Sequence, residues 1–512
     1  MKTEEEGSLT IFSALSLLLI LSFLLALLEG ARVSGLQMMD TLAADTGMDC
    51  VAAEYQTVLW DKYHLLYLDG AYGWDQFDEN KVSSRVMDYV AGNLSETGET
   101  SVFPTKLCEA SLLEYTFATD NDGTGMLRQA SAYMKRHLPE DVAKKMYQQY
   151  QDGKKAEADG KTEYSVEDAD QAIINAKKEK EQADQNDKEG APQEEAGEKN
   201  IQDNENNHAQ DAEDGKKESP IQIVLQLKQN ALLGMTVSDM SSLSAKAVEA
   251  KDMVSNRQCE TGRYDMKKAE KMNVSDRVMV LEYIGKHFSD YTEPGKGDLT
   301  YEMEYILCGK DTDKKNLESS IERLMRMREA ANVAHIIADR EKLNQTLMIA
   351  TSLAGFSGNP AVVKIVQIGV VAAWAYVESI LDLRTLLSGG KISLIKSAAE
   401  WTTDLKKLGE IVTGEGKARE CKNGLSYQAY IKQLLFAMKE KKMAYRMMDI
   451  MELAMQKEQN GKNARMDHMI DNMICELRFE AKPLFAKRSL YGDMEMGGYT
   501  FFKRQKLSYI NE

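Results

Sequence analysis

Ser393 and Lys396 are the most specific pair of residues that could carry out covalent chemistry. Their Ser-x-x-Lys spacing would place a hydroxyl nucleophile near an amine able to act as its general base. The Ser-Asp-Asn and Lys-Thr-Gly motifs that complete such a site do not accompany the pair. We therefore interpret it as a chance match and predict that the chain is not an enzyme.

The glycines before Lys417 suggest a phosphate-binding loop. In the G-x-x-x-x-G-K-[ST] pattern, Gly416 and Lys417 would be the central pair. Ile411 then stands where the first glycine belongs, and Ala418 replaces the hydroxyl that would bind magnesium. We therefore expect no cofactor.

Residues that bind metals show no ligand pattern either. There is no His-Glu-x-x-His and no Cys-x-x-Cys. The histidines are His64, His137, His208, His287, His335 and His468, and the cysteines are Cys50, Cys108, Cys259, Cys308, Cys421 and Cys475. A soft-metal site is conceivable at the helically spaced Met443, Met447, Met451 and Met455, but this pattern is more typical of core filling. We expect no metal site and mostly free, buried thiols.

The stretch GSLTIFSALSLLLILSFLLALLEGAR must enter a membrane. Residues 8–28 carry no charge, and their 21 positions match the roughly 20 that a helix needs to cross a bilayer. A signal peptide would have a shorter apolar core and a small residue where Glu29 stands. We predict that residues 1–34 form a retained anchor in contact with membrane lipid through residues 8–28.

The orientation of the anchor follows from the short N-terminal tail, which is a poor candidate for translocation across the membrane. We expect a single-pass protein of the cell membrane with a cytoplasmic N-terminus and an extracellular C-terminal domain. Clustered Lys and Arg are missing and the net charge is −17, so we expect no nucleic-acid partner.

Composition divides the rest of the chain into three ranges. Apolar residues at helical spacing follow the anchor, so residues 35–150 should hold a stalk helix, with Gly47 as a candidate interruption, and a small mixed region. Residues 151–219 have 21 acidic and 10 basic side chains and few apolar ones, which predicts a disordered acidic linker. Residues 220–512 should form a mostly helical domain.

Two sequence patterns predict the secondary structure of residues 220–512. A helix should run from Pro360 to Gly389-Gly390, and only 13 uncharged residues lie between Lys364 and Glu378, too few to span a membrane. We predict a buried central helix. Near the C-terminus, polar and apolar residues alternate from Cys475 to Glu480, and Tyr499–Ile510 gives a second strand. The predicted fold class is α+β, mainly α, closed by an antiparallel strand pair.

Several of these stretches resemble known families. Gly-Ser-Leu-Thr-Ile-Phe before a long apolar helix, followed by Leu-Glu-Gly-Ala-Arg, resembles the N-terminus of TadE/TadG-like pseudopilins of the Tad pilus. The strands ELRFEAKPLF and YTFFKRQKLSYI are similar to those that close such proteins. Between Pro220 and Glu512, EYILCGKDTDKKNL, REAANVAHIIAD, AWAYVESILDLRTLLSGGKISLIK and GLSYQAYIKQLLFAMKEKKMAYRMMDIMEL resemble an uncharacterised Gram-positive family often encoded beside Tad-type genes.

The resemblance implies a structural or assembly component of a Tad-like pilus or secretion apparatus, with protein partners in that assembly. It also implies a possible processing site between Gly7 and Ser8. Cleavage there would make Phe12 the fifth residue, where pilins usually have a glutamate, and Glu6 stands where they have a basic residue. We therefore expect the anchor to be retained. The first alternative is an anchored adhesin or ligand-binding module. The second is a surface hydrolase that uses Ser393.

Overall fold

The computed structural model divides the chain into two compact units made of separated segments. It describes residues 2–95, 103–159, 165–189, 219–264, 272–409, 416–458, 461–484 and 498–509. The first unit comprises residues 1–137, 251–280 and 439–512, and the second comprises residues 138–250 and 281–438. These units differ from the continuous ranges predicted from sequence, because strand pairing joins residues that are far apart along the chain.

Helices make up most of the described chain, as predicted. They are α1 (Lys2–Ala52), α2 (Thr57–Tyr63), α3 (Glu79–Ser95), α4 (Thr124–His137), α5 (Glu140–Asp159), α6 (Val166–Glu189), α7 (Pro220–Lys228), α8 (Leu232–Thr236), α9 (Val274–His287), α10 (Glu302–Cys308), α11 (Asp313–Ala338), α12 (Arg340–Ala354), α13 (Pro360–Leu387), α14 (Tyr427–Phe436) and α15 (Glu440–Gln456). The strands are β1 (Leu68–Asp69), β2 (Lys106–Phe117), β3 (Met469–Ala481) and β4 (Tyr499–Ser508).

The first unit is built on an antiparallel sheet with β3 at its centre. β4 pairs along one edge of β3, where Phe479 faces Phe501, and β2 pairs along the other edge, where Phe479 faces Leu107. The short β1 pairs with the beginning of β3. The predicted β3–β4 pair is therefore confirmed. β2 was not predicted, because register shifts at Glu109 and Glu114 break the alternation that marks a strand.

α1 and α3 lie on this sheet and complete the core of the first unit. α1 is continuous, so the predicted stalk is present without the interruption considered at Gly47. A Cβ atom at Gly47 would lie 3.0 Å from the Val90 backbone of α3, so glycine here permits close helix packing. Met48 and Val51 of α1 pack in one cluster with Cys475 of β3.

α13 is the central helix of the second unit, as predicted. Asn359 caps it, Pro360 is at its start, and the chain turns at Gly389 with φ 86°. By length and composition alone α13 could cross a membrane, but 61 % of its most apolar 18 residues are buried within the fold. Helices α6, α7, α8, α11 and α12 pack around it.

α6 corrects part of the linker prediction. Val166, Ala169, Ile173 and Ala176 are buried at the spacing of one helical face. A Cβ atom at Gly369 of α13 would collide with the Cβ atom of Ala169, so the two helices are in close contact. The predicted linker of residues 151–219 therefore includes helix, at residues 151–159 of α5 and in α6. In α6 a few small and branched residues suffice to pack the helix. Residues 190–218 lie outside the described chain.

The cysteines and the helically spaced methionines of α15 are buried or half-buried. The six cysteines are free, with Cys308, Cys421 and Cys475 buried and the other three half-buried. Met443, Met447, Met451 and Met455 of α15 are completely buried, in agreement with the core interpretation.

Replacing Ile173 by Asp tests whether α6 belongs to the folded unit. An unpaired carboxylate at this buried position should lower the free energy of unfolding by about 2–4 kcal/mol. Its exposed neighbour Ile174 gives the matched control, and Ile174→Asp should change stability by about 0.5 kcal/mol or less. Equal, small effects of both substitutions in chemical denaturation would show that α6 is not part of the core.

Candidate functional site

The longest uncovered apolar surface in the described chain is the N-terminal part of α1. Leu9 is 68 % exposed and Leu19 is 70 % exposed, and exposed Leu, Ile and Phe side chains continue to Leu28. A helix of 20 residues is about 30 Å long, which equals the thickness of a bilayer's hydrocarbon core. No part of the described fold covers this surface, so α1 is a possible membrane anchor.

Glu29 and Arg32 join this anchor to the sheet. They are the first charged residues after the apolar segment, and both are nearly buried. Arg32 Nη1 donates to Glu29 Oε1 over 2.8 Å, and its Nη2 donates to the carbonyl oxygen of Lys482 over 2.9 Å. The backbone N–H of Leu484 donates to Glu29 Oε1 over 3.4 Å. The ion pair therefore ties the end of β3 to α1 at the point where the apolar segment ends.

The other end of the sheet is tied to the end of α1. The Tyr509 hydroxyl donates to the carbonyl oxygen of Ala52 over 2.6 Å. At the start of β4, Tyr499 lies beside Glu29. Desolvation, and after it the charge of Glu29, raises the pKa of Tyr499. The helix from Glu29 to Ala52 is about 35 Å long and β4 is about 33 Å long, so the two match in length. The anchor helix and the sheet thus form one body.

Asp40 is a charged residue on the face of α1 that packs against the rest of the first unit. Its side chain is completely buried, and among the described residues neither carboxylate oxygen receives a hydrogen bond of good geometry, the Thr105 hydroxyl being close but poorly aligned. Burial raises the pKa of Asp40 to about 6, while Thr105 and Lys503 act in the opposite direction. The stalk therefore carries a carboxyl group that the fold prefers in its protonated form.

In the second unit, Lys396 belongs to a buried charge cluster. Its ammonium group donates to Glu378 and lies 2.5 Å from Asp382 Oδ1. The backbone N–H groups of Thr402 and Thr403 also donate to Glu378, over 3.1 and 2.9 Å. Lys396 thus holds its loop against α13.

Arg328 of α11 supplies the second cation of this cluster. Its Nε donates to Asp382 Oδ2 over 3.0 Å, and its Nη1 donates to the hydroxyl of Tyr430 over 2.8 Å and to the carbonyl oxygens of Ser393 and Leu394. The side chains of Arg328, Asp382, Lys396 and Glu378 are all fully buried. Two cations and two anions balance, which is the condition under which charges can be kept away from water.

Ser393 does not form a nucleophilic pair with Lys396. Its hydroxyl donates to Glu400 Oε1 over 2.9 Å, whereas the Lys396 amine is engaged by Glu378 and Asp382. In this geometry the Ser393 hydroxyl and the Lys396 amine therefore face different partners.

The other candidate residues are not brought together. Ile411 and Gly414 lie outside the described residues, and Gly416 accepts a hydrogen bond from Arg384 through its carbonyl oxygen. Within the described ranges no group of three or more His, Cys, Asp or Glu side chains is placed to hold a metal ion. Gly7 and Ser8 lie in α1, but their side chains are outside the description.

Comparison with known proteins identifies a family. A model of a family of unknown function, DUF5702, matches residues 210–481, slightly more than half of the chain. The chain belongs to this family. The match confirms the prediction of an uncharacterised domain family, and it ends at the last residue of β3. It does not support the TadE/TadG-like N-terminus or the Tad association that the resemblance implied. No curated protein and no solved structure matches the chain significantly.

The sequence analysis missed the charged residues that organise these sites. Glu378 and Asp382 are one turn apart inside an apolar helix, and this spacing of acids was the available signal for a buried cluster. Arg328 carries no such signal, because it lies in a helix with many other charged residues. Only the tertiary structure brings it to Asp382.

Removing the Lys396 amine should strongly destabilise the second unit. Lys396→Met leaves Glu378 without its buried cation, and such a loss costs about 3–5 kcal/mol. The matched control is Ser393→Ala, which removes one half-buried hydrogen bond and should cost about 1 kcal/mol. Chemical denaturation followed by tryptophan fluorescence gives both values. Equal effects would show that the charge cluster is not the stronger constraint.

The stability of the first unit should depend on Asp40 and on pH. The pKa of Asp40 in the folded chain is about 6, above the ordinary value of 3.8. The stabilisation that comes from the protonated carboxyl is therefore complete below pH 3.8 and is lost as the pH rises through 6. Asp40→Asn should therefore raise the denaturation midpoint more at about pH 7.5 than at about pH 4. Asp45→Asn, at an exposed position of α1, should show no such difference.

Proposed function

We propose that this chain is a membrane-anchored surface protein that serves as a structural or assembly component of a Tad-like pilus or secretion apparatus. The observation that carries the proposal is the form of α1. One unbroken helix has an uncovered apolar half at residues 9–28 and a second half packed on a folded sheet. A component that must hold a folded body at a fixed place on a membrane needs this combination.

The Glu29–Arg32 junction supports a mechanical role. A flexible connection would let the folded part move freely above the membrane, whereas here the first charged residues after the apolar segment are bound to the end of β3. Force applied to the sheet would be transmitted directly to the anchor helix. This is useful in an assembly whose subunits are held together through their N-terminal helices.

The placement that follows has the N-terminus in the cytoplasm and both folded units outside the cell. The short tail before the apolar segment supports this orientation. The link to a Tad apparatus rests on the pseudopilin likeness of residues 7–32 and of the β3–β4 strands. The alternative of an adhesin on a long solvated spacer is weakened, because α6 occupies part of that spacer and is packed against α13.

A membrane-extraction experiment tests the anchor. The full chain should remain in the membrane fraction after an alkaline wash. Replacing Leu18 and Leu19 by Asp should release it, since each carboxylate near the bilayer centre costs about 2.5–3.5 kcal/mol. Met38→Asp is the matched control, because Met38 is equally exposed on α1 but lies beyond the apolar segment. Release of the unsubstituted chain, or retention of the double variant, would contradict anchoring by α1.

A second experiment addresses the assembly. Crosslinking in intact cells followed by purification through a C-terminal epitope should recover pilus or secretion components together with this chain. If only the chain itself is recovered under conditions that preserve its membrane location, the assembly role is contradicted while the anchor remains.

A further inference from the structure

The amine of Lys396 contacts two carboxylates at once, and all three side chains are closed off from water. It is in contact with Glu378 Oε1 and lies 2.5 Å from Asp382 Oδ1, and each of the three side chains is fully buried. Glu378 and Asp382 are one turn apart on α13, so both reach the same nitrogen. The centre of the buried Trp401 ring lies 5.7 Å from that nitrogen. An amine and a carboxyl group are therefore held together in a site that excludes water.

The two carboxylates are held in different ways. Both oxygens of Glu378 accept backbone N–H groups from residues 402–403, over 3.1 and 2.9 Å. The hydrogen bonds of Asp382 are at Oδ2, which accepts from Arg328 Nε and from Asn332 Nδ2 over 3.0 Å each. Oδ1, the oxygen beside the amine, receives no hydrogen bond of good geometry. Asp382 is thus polarised at one oxygen and can lose the other, while Glu378 is positioned to carry protons to and from the amine.

We propose that Lys396 and Asp382 form an intramolecular isopeptide bond, with Glu378 as the acid–base catalyst. One ammonium proton passes from Nζ through Glu378 to Asp382 Oδ1, which leaves a neutral amine and a neutral carboxyl group. Nζ then attacks Cγ of Asp382, a second proton passes from Nζ through Glu378 to Oδ1, and the Cγ–Oδ1 bond breaks. The products are one water molecule and an amide that keeps one N–H and the Oδ2 carbonyl, so no further reactant is needed.

The surroundings favour this reaction. Arg328 and Asn332 already donate to Oδ2, the oxygen on which negative charge develops as Nζ attacks, so they stabilise that charge. Reacting groups held in the correct geometry behave as if at about 10⁵–10⁸ M, which outweighs the tendency of water to reverse amide formation. Burial also keeps bulk water away from the amide once it has formed. One cation and one anion disappear together, so Arg328 and Glu378 still balance in charge.

An ordinary salt bridge in the same unit lacks this arrangement. Lys432 donates to both oxygens of Glu282, over 2.8 and 2.7 Å, and no second carboxylate contacts it among the described residues. One carboxylate cannot be both the group that is attacked and the group that carries the protons. The Lys432–Glu282 pair is therefore an internal control. The proposed bond lies in the second unit and does not rest on the membrane role proposed for the chain.

The mass of the full chain tests the proposal. After purification in detergent and complete denaturation, the chain should be lighter than its sequence requires by one water molecule. Lys396→Arg keeps a buried cation but has no amine to react, so this variant should have its full mass. In a tryptic digest, tandem mass spectrometry should find residues 365–384 joined to residues 392–406, because trypsin does not cleave after a lysine whose amine is bonded. Lys432 should be unlinked in the same digest.

Glu378→Gln tests the catalyst. Where circular dichroism shows that this variant is folded, Lys396 and Asp382 should link at least about 100-fold more slowly, since general acid–base catalysis contributes 10²–10⁴-fold. A folded variant that is linked as fast as the unsubstituted chain would overturn the role of Glu378.

The unsubstituted chain by itself decides whether the bond exists, so the test does not depend on the folding of any variant. A chain with the full mass of its sequence would overturn the bond. So would a loss of water that maps to other residues, or one that persists in Lys396→Arg.

Discussion

The antiparallel pairing of β3 is the interaction on which the first unit depends. β3 lies between β2 and β4, and its partner β2 is more than 350 residues away along the chain. Because a central strand forms backbone hydrogen bonds with both of its neighbours, this pairing joins an N-terminal segment to two C-terminal ones. It also forms the surface on which α1 packs. Without it, the stalk half of α1 would have nowhere to bury Met48 and Val51.

The second unit is organised by a different constraint, the balance of buried charge. Glu378 and Asp382 lie within the central helix, and their charges can stay buried only because Arg328 and Lys396 approach from α11 and from the following loop. Replacing such a cluster with apolar residues often leaves stability unchanged. Its contribution is therefore geometric: it determines which loop and which helix lie against α13.

Both units leave apolar surface uncovered, at residues 9–28 of α1 and at the α12–α13 tip. Folded proteins seldom expose contiguous apolar patches without a partner. The two surfaces differ in form, since one is an isolated helix of bilayer length and the other is a short hairpin end beside a lysine. Of the two, only the apolar segment of α1 has the length that crossing a bilayer requires.

The sequence by itself determined the features that depend on neighbouring residues. The apolar run of α1, the caps of α13 and the alternation in β3 were all readable, because each follows from local periodicity or turn chemistry. Only the tertiary structure decided the rest. Register shifts interrupt the alternation of polar and apolar residues in β2, and α6 packs with few apolar residues. Arg328 binds Asp382, which is 54 positions away in the sequence. Such contacts depend on which distant segments meet, and no local pattern carries that information.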